Sequence, residues 1–357
     1  MININKTIFL TGFPGFIAAR LVRRLSKSDV KFYLLVQSSF VEKATGEIKK
    51  IADDTNVPLG NFALVEGDIT EENLGISEKD SQIVFKETTD VFHLAAIYDL
   101  AVEREIAYRV NVEGTKNVNE FVKVLPNLRR YNYVSTCYVS GNRKGVIYEN
   151  ELEHDAGFRN FYEETKYLAE MEVEKLKPEF PVTIFRPSVV VGDSKTGETT
   201  KYDGVYYLIN YLKKFPIVFR FVNVGNRDVK LNLVPVDFVV EGITILANDA
   251  RAIGKTIALA DPNPLTTEQL FDAIAEAMTD KKSVIKPPPE LIEKTLMLPF
   301  SPKMSGLPHS GVPYFFVPQT YDTSVAEELL TAHGIACPSF QSYVKNLLNF
   351  VRKNPRL

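Results

Sequence analysis

The opening of the chain restricts its fold more than any other stretch. Thr7-Ile8-Phe9-Leu10 is a short apolar strand, Thr11-Gly12-Phe13-Pro14-Gly15-Phe16-Ile17-Ala18 is a glycine-bearing turn, and Ala19–Leu25 continues with a helical period. Ile17, Leu21, Val22 and Leu25 fall on its inward face. Glycine at such a strand-to-helix turn lets the backbone approach a pyrophosphate, and the helix N–H groups and dipole favour the anion. Pro14 suits a first helical turn, where its missing N–H costs nothing. The residues expected along the phosphates are Gly12, Phe13, Pro14, Gly15, Phe16 and Ile17, with Ala18 where a third glycine is commoner. A plain strand–helix turn would show the same stretch.

The pattern then repeats. Val30–Val36 is a second strand, ending at Gln37-Ser38-Ser39. An NAD enzyme usually places Asp or Glu at this strand end to bind the ribose 2′-OH. Gln37 neither repels a 2′-phosphate nor attracts one, and Arg20, one turn into the first helix, is either a contact there or a solvated side chain. Phe62–Ile69 is a third strand and its exit. Asp68, beside Ile69, can accept from an adenine amino group or cap the next turn. Val91–Ala96 is a fourth strand, where the small Ala95 and Ala96 leave room for a cofactor ribose. His93 in that apolar run reads as a packed core histidine. Glu103–Val124 is a long helix carrying Asn111. Arg130–Ser135 is a fifth strand, and the hydroxyl of Thr136 stands at the crevice end of it. After the segment Arg159–Lys177, Val182–Phe185 makes another strand leading into Pro187, Ser188 and Val189. Strands alternating with helices at this spacing predict an α/β fold with a doubly wound parallel sheet, Rossmann-like.

Beyond Gly192 the pattern changes. A polar loop (193–204) precedes helix Val205–Lys214. Asn232–Asp237 leads into helix Phe238–Leu246, and Thr256–Ala260 returns as one more sheet strand. Prolines then punctuate short helices at Thr267–Met278, Pro289–Leu298, Ser324–Leu330 and Ser339–Arg352. The expected organisation is a dinucleotide-binding domain over residues 1–192, completed by 236–260. Residues 193–235 and 261–357 form a smaller, mostly helical C-terminal substrate cap.

Within Arg159–Lys177, Tyr162 and Lys166 are one helical turn apart on one face. A free phenol has a pKa of about 10. An ammonium beside it favours the phenolate, and the pair can then exchange a proton with a carbonyl oxygen. Alone, the spacing also fits a solvated helix face.

Net charge is −3, so no polybasic surface points to nucleic acid or anionic lipid. Cys137 and Cys337 cannot make a disulfide framework or a zinc site, and the four histidines show no metal-ligand spacing. No apolar run reaches the roughly 18 residues of a membrane span, and Met1–Lys6 enters a strand at once. The expectation is a soluble, cytoplasmic protein without a metal.

With Thr11–Ala18, Asn111, Thr136, Tyr162 and Lys166 in this order, the chain resembles the extended short-chain dehydrogenase/reductases. Val134–Gly141, Tyr162–Glu170 and Arg186–Glu198 make it most similar to their thioester-reductase and fatty acyl-CoA reductase branch. The resemblance covers about Lys6 to Ala260 and is loose beyond Asp261. It implies Tyr162 as proton donor or acceptor, with Lys166 lowering its pKa and bonding the nicotinamide ribose. It also implies Thr136 on the substrate oxygen, Asn111 anchoring a proton-relaying water, and Pro187-Ser188-Val189 meeting the nicotinamide carboxamide. The implied activity is NAD(P)H-dependent reduction of an acyl thioester, on CoA or a carrier protein, to the aldehyde. NADP is expected, with NAD possible, because no carboxylate stands at Gln37 to repel a 2′-phosphate, although Gln37 departs from the arginine common among NADPH-using relatives. Alcohol or ketone oxidoreduction, sugar-nucleotide chemistry and a non-catalytic dinucleotide sensor are the alternatives.

Overall fold

The computed structural model describes residues 4–214, 222–302 and 307–356. Met1, Ile2 and Asn3, where the immediate strand entry was expected to begin, lie outside them. In chain order the first elements are β1 (Lys6–Thr11), α1 (Phe16–Leu25), β2 (Val30–Val36), α2 (Val41–Thr55), β3 (Phe62–Glu66), α3 (Glu78–Glu87) and β4 (Asp90–His93). Then come α4 (Arg104–Ala107), α5 (Gly114–Val124), β5 (Arg130–Val134), β6 (Gly145–Ile147), α6 (Phe161–Glu174), β7 (Val182–Pro187) and β8 (Val189–Val191). The second half holds α7 (Val205–Lys214), β9 (Leu233–Pro235), α8 (Val236–Leu246), β10 (Thr256–Leu259) and α9 (Thr267–Thr279). It ends with α10 (Pro289–Leu296), β11 (Gln319–Tyr321), α11 (Ser324–Thr331) and α12 (Phe340–Lys353).

Seven strands form one sheet in the order β10-β7-β5-β4-β1-β2-β3, every neighbouring pair parallel. This is the doubly wound sheet the sequence predicts. Strand residues alternate between two cores, as a pleat buried on both faces requires. Ile8, Leu10, Phe32, Leu34 and Phe92 pack with α1, α2, α8 and α11. Phe9, Tyr33, Leu35, Val91 and Tyr133 pack on the other face with α5 and α6. The strand order reverses between β1 and β4, and such a switch point opens a crevice at the carboxyl ends of the strands.

The second half builds its own apolar core from Val205, Ile209 and Leu212 of α7, Leu270 and Phe271 of α9, and Phe340, Tyr343 and Leu347 of α12. It does not stand apart from the sheet. Ala326, Leu329 and Leu330 of α11 belong to the first core, and β11 pairs in parallel with β6. The buried carboxylate of Glu149 accepts the N–H groups of Ala258 (2.7 Å), Val325 (2.6 Å) and Ala326 (3.2 Å), tying β10 to the start of α11.

Three local departures have physical reasons. The expected strand Val91–Ala96 stops at His93, because the Leu94 and Ala95 N–H groups turn to the Thr11 hydroxyl. The expected helix Glu103–Val124 contains a π-turn over Tyr108–Glu113, where the Gly114 N–H reaches back five residues to Arg109 O. The segment between β2 and β3, to which the sequence reading assigns no element, forms α2, where Ala44, Ile48, Ile51 and Ala52 recur at helical spacing as a buried stripe.

Two charges are sealed under the sheet. Arg186 of β7 donates to Glu170 of α6 at 2.9 and 2.5 Å, and the Ser135 hydroxyl adds a third bond to that carboxylate. Removing one member of a buried ion pair leaves the other unpaired in low dielectric and typically costs about 3–5 kcal/mol. Glu170→Leu is therefore expected to destabilise the protein by about 3–5 kcal/mol in urea unfolding. A change within error would show that Arg186 finds a compensating partner.

Candidate active site

The crevice begins at Gly12, which has φ +89°. A Cβ there would stand 2.8 Å from Ala95 N, and one on Gly15 would stand 2.7 Å from Gly12 O. Both positions therefore demand glycine, and the turn is closed by a Gly15 N–H to Gly12 O bond of 2.8 Å. The peptide between Phe13 and Pro14 is cis. Phe13 is buried in the first core, while Phe16 and Ile17 pack partly buried against it. This bare backbone cradle at the N-terminus of α1 fits a dinucleotide's pyrophosphate. Ala95 lies directly across it, and Ala96 beyond is exposed.

Beneath the cradle runs a chain of hydrogen bonds. Thr11 Oγ1 accepts from Leu94 N (3.2 Å) and Ala95 N (3.1 Å), which occupies both its lone pairs. Its own hydrogen must therefore go to His93 Nδ1, 2.7 Å away. That makes His93 the neutral Nε2–H tautomer, donating to Thr115 Oγ1 at 3.0 Å. Thr115 in turn donates to Asn111 O at 2.6 Å. Complete burial and the nearby Lys166 charge push the His93 pKa down to about 3. The core reading of His93 holds, with both ring nitrogens in use.

At the other end of the crevice, Gln37 Nε2 donates to Asp68 Oδ2 at 2.7 Å, and Thr70 N donates to Asp68 Oδ1 at 2.8 Å. Partial burial favours the protonated acid, but the bonds from Thr70 and Gln37 and the charge of Arg109 outweigh it and hold Asp68 below its ordinary pKa. Ile69 is buried against Gly114, and its carbonyl accepts from Asn117. Arg20 lies over the Phe16 ring and pairs with Glu198 at 3.1 Å.

Thr136 and Tyr162 are both buried, and the Thr136 hydroxyl lies near enough to the phenol to favour its ionised form. Burial raises the Tyr162 pKa well above its ordinary value, against the opposing pull of Thr136. Lys166, also buried, points elsewhere: Nζ donates to Tyr133 OH (2.9 Å) and Val134 O (3.0 Å). Asn111 is spent on neighbours, accepting from Ile97 N (2.9 Å) and donating to Thr165 Oγ1 (3.0 Å). The Ser188 and Val189 N–H groups already donate to Leu259 O and Asn232 O, and Pro187 has no N–H, so a carboxamide oxygen would find no open N–H here.

Sequence reasoning passed over Tyr98, Tyr133 and Glu170. The Tyr98 ring meets Tyr162 edge-on at 5.1 Å. Tyr133 accepts from Lys166 at 2.9 Å and has Thr115 as a neighbour. The available signal was the strand itself: a tyrosine in a strand buried on both faces needs a partner for its hydroxyl.

The glycine cradle at a switch point and the Thr–Tyr–Lys set at the ends of β5 and on α6 define an extended short-chain dehydrogenase/reductase. Within that class the chain belongs to the Male sterility protein family, whose profile matches residues 10–243. It is 26% identical over 284 residues to the fatty acyl-CoA reductase wat of Drosophila melanogaster, covering 69% of this chain and 54% of that protein. It is 24% identical over 344 residues to fatty acyl-CoA reductase 1 of Arabidopsis thaliana, covering 76% and 70%. The chain thus spans about half the length of several of the curated relatives it matches. Among solved structures, it is similar to the terminal R domain of the myxalamid PKS-NRPS biosynthetic pathway. That match has a TM-score of 0.82 at 25% identity and covers 99% of this chain and 92% of that one. The reductase domain of a nonribosomal peptide synthetase from Mycobacterium tuberculosis shares the fold at a TM-score of 0.70 and 17% identity, covering 98% and 94%.

Burial lowers the Lys166 pKa to about 8 from an ordinary 10.5, against the opposing charge of Glu170. Between these values the unfolded chain binds the extra proton, so stability attributable to Lys166 should rise with pH across that window. Urea unfolding of the cofactor-free protein and of Lys166→Met should show wild type gaining on the variant from about pH 8 upward. A constant difference would mean that the amine keeps its ordinary pKa.

Proposed function

We propose that the protein is an NAD(P)H-dependent reductase that converts an acyl thioester, on CoA or a carrier protein, to the aldehyde. The observation that carries this reading is the buried Thr136–Tyr162 hydroxyl pair at the crevice end of the sheet. Kept protonated by burial, the phenol is a donor to an oxygen on which negative charge develops, and Thr136 is a second. When bound, NAD(P)H supplies a hydride to the carbonyl carbon. The Gly12–Gly15 cradle holds its pyrophosphate, and Gln37 and Asp68 flank its adenosine. Two of the three Lys166 N–H groups are taken, leaving one for the nicotinamide ribose. As the thiolate leaves, the carbonyl re-forms and the two hydroxyls release it.

An apolar cavity supports an aliphatic acyl arm. Tyr207, Leu208, Tyr211, Val224, Leu296 and Phe315 line it, and Tyr207 is the electrostatic neighbour of Tyr98, whose ring touches Tyr162. The uncharged Gln37 supports NADPH over NADH. Both cysteines are free, in keeping with a cytoplasmic setting, and no helix among the described residues is long and apolar enough to cross a membrane.

Tyr162→Phe removes only a hydroxyl. Turnover of the best acyl-CoA should fall about 10²–10⁴-fold, the usual share of general acid catalysis, with NADPH affinity and melting temperature unchanged. Wild-type turnover by that variant would remove this mechanism. Gly15→Asp should abolish dinucleotide binding in calorimetry, because a carboxylate would stand at the pyrophosphate. In the same titrations NADPH should bind wild type more tightly than NADH, and the reverse order would overturn the cofactor preference.

A further inference from the structure

A second cavity lies against Tyr138, two residues beyond Thr136, and the reduction reading gives it no role. Polar Tyr138, Arg159, Lys230 and Gln319 line it together with apolar Leu231 and Val317. Tyr138 follows Thr136 by two residues, and its N–H donates to Thr136 Oγ1 at 3.2 Å. Its position is thereby fixed relative to the catalytic hydroxyl. Its phenol makes no hydrogen bond among the described residues. Burial first, then the neighbouring Tyr314, Tyr321 and Tyr98, hold it protonated against the opposing charge of Arg159. It is a neutral, unused donor.

Arg159 is fixed beside it. Its side chain is 5% exposed, and its terminal nitrogens donate to Glu163 (2.7 Å), Gly141 O (2.7 Å) and Gln319 (2.8 Å). Its guanidinium carbon lies 4.8 Å from the Tyr314 ring centroid and 6.0 Å from that of Tyr138. Glu163 is tied in turn to Tyr314 OH at 2.5 Å. Arg159 Nε is buried without a partner among the described residues. Unpaired donors in a rigid recess favour a ligand that brings an acceptor.

The adjacent residues Tyr314 and Phe315 line different cavities, the first carrying charged and hydroxyl groups and the second mainly apolar. One short segment thus separates two recesses of different character, as the two arms of a thioester differ.

We propose that the polar recess is a specificity site that reads a hydrogen-bond-accepting oxygen close to the thioester, with the Tyr138 phenol as donor and Arg159 as a cationic wall. This rests on the thioester reading for the group that sits at Thr136. The oxygen comes either from an amide on the thiol arm, as in pantetheine, or from the acyl arm itself.

Three substrates separate these sources: hexanoyl ethanethiol ester, hexanoyl N-acetylcysteamine ester, and 3-hydroxyhexanoyl ethanethiol ester. The kcat/KM of each is measured with NADPH for wild type and Tyr138→Phe, a variant that removes a hydroxyl with no partner to orphan. Binding of the matching thioethers, with methylene in place of the carbonyl, gives the same comparison by calorimetry on the cofactor-loaded protein without turnover. At least one oxygen-bearing compound should exceed the plain ester by about tenfold in wild type, the scale of one hydrogen bond near a charge. Tyr138→Phe should remove most of that advantage, and the compound that loses it identifies the arm. No advantage in wild type, or one that Tyr138→Phe leaves intact, overturns the proposal. A Tyr138-dependent preference among thioethers with no thioester reduced would support the recess and sink the reduction reading. Thioesters reduced without such a preference would do the opposite.

Discussion

The candidate site hangs on one line of buried polar groups. It starts at the backbone of Leu94 and Ala95 and passes through Thr11 and His93 to Thr115 by hydrogen bonds; Tyr133 stands beside Thr115 and accepts from the ammonium of Lys166. Each member has one bonding pattern that leaves no polar atom unmet, so the tautomer of His93 is set by its neighbours. A charged imidazole would bring a second proton where Thr11 has no lone pair to take it. The line joins the glycine cradle at the N-terminus of α1 to the helix that carries Tyr162. It crosses β1, β4 and β5 to do so. Such a fully satisfied polar network favours a single arrangement, because any slip of one strand exposes several unpaired groups in a low-dielectric interior.

Burial does much of the electrostatic work in the site. A solvent-exposed Tyr–Lys pair one turn apart would lean toward phenolate and ammonium. Here desolvation raises the phenol of Tyr162 and lowers the amine of Lys166, so both move toward their neutral forms. The lysine rests on Tyr133 and Val134 O, and Thr136 is the group that favours the Tyr162 phenolate. Thr136 thus tunes the phenol beside it.

The parallel sheet, its switch point and the glycine turn were legible because they follow from short-range rules. Apolar runs of strand length, glycines at fixed offsets and the 3.6 period are properties of contiguous residues. The Thr11–His93–Thr115 line was not legible, since its members are separated by about eighty and about twenty positions and only the fold makes them neighbours. The same holds for Glu170 with Arg186: a glutamate on a helix reads as solvated until β7 is laid beneath it. The short helices of the second half were legible from the prolines that bound them. That α11 would pack against the sheet depends on Glu149, a residue in a loop between β6 and α6 with no local pattern to mark it.

The π-turn at Tyr108–Glu113 bears on how chains like this one can vary in length. A π-turn carries one residue more than the α-helical turn it replaces, so excising a residue there would give a regular helix with its backbone bonds intact. Because the extra residue is taken up within the turn, the faces upstream and downstream would keep nearly the same relative orientation. The cost would be local: Asn111 lies inside the turn, and its bonds to Ile97 and Thr165 would have to be remade. The same deletion in a regular stretch of α-helix would instead turn one side by roughly 100° against the other, the angle of one residue in a 3.6-residue turn.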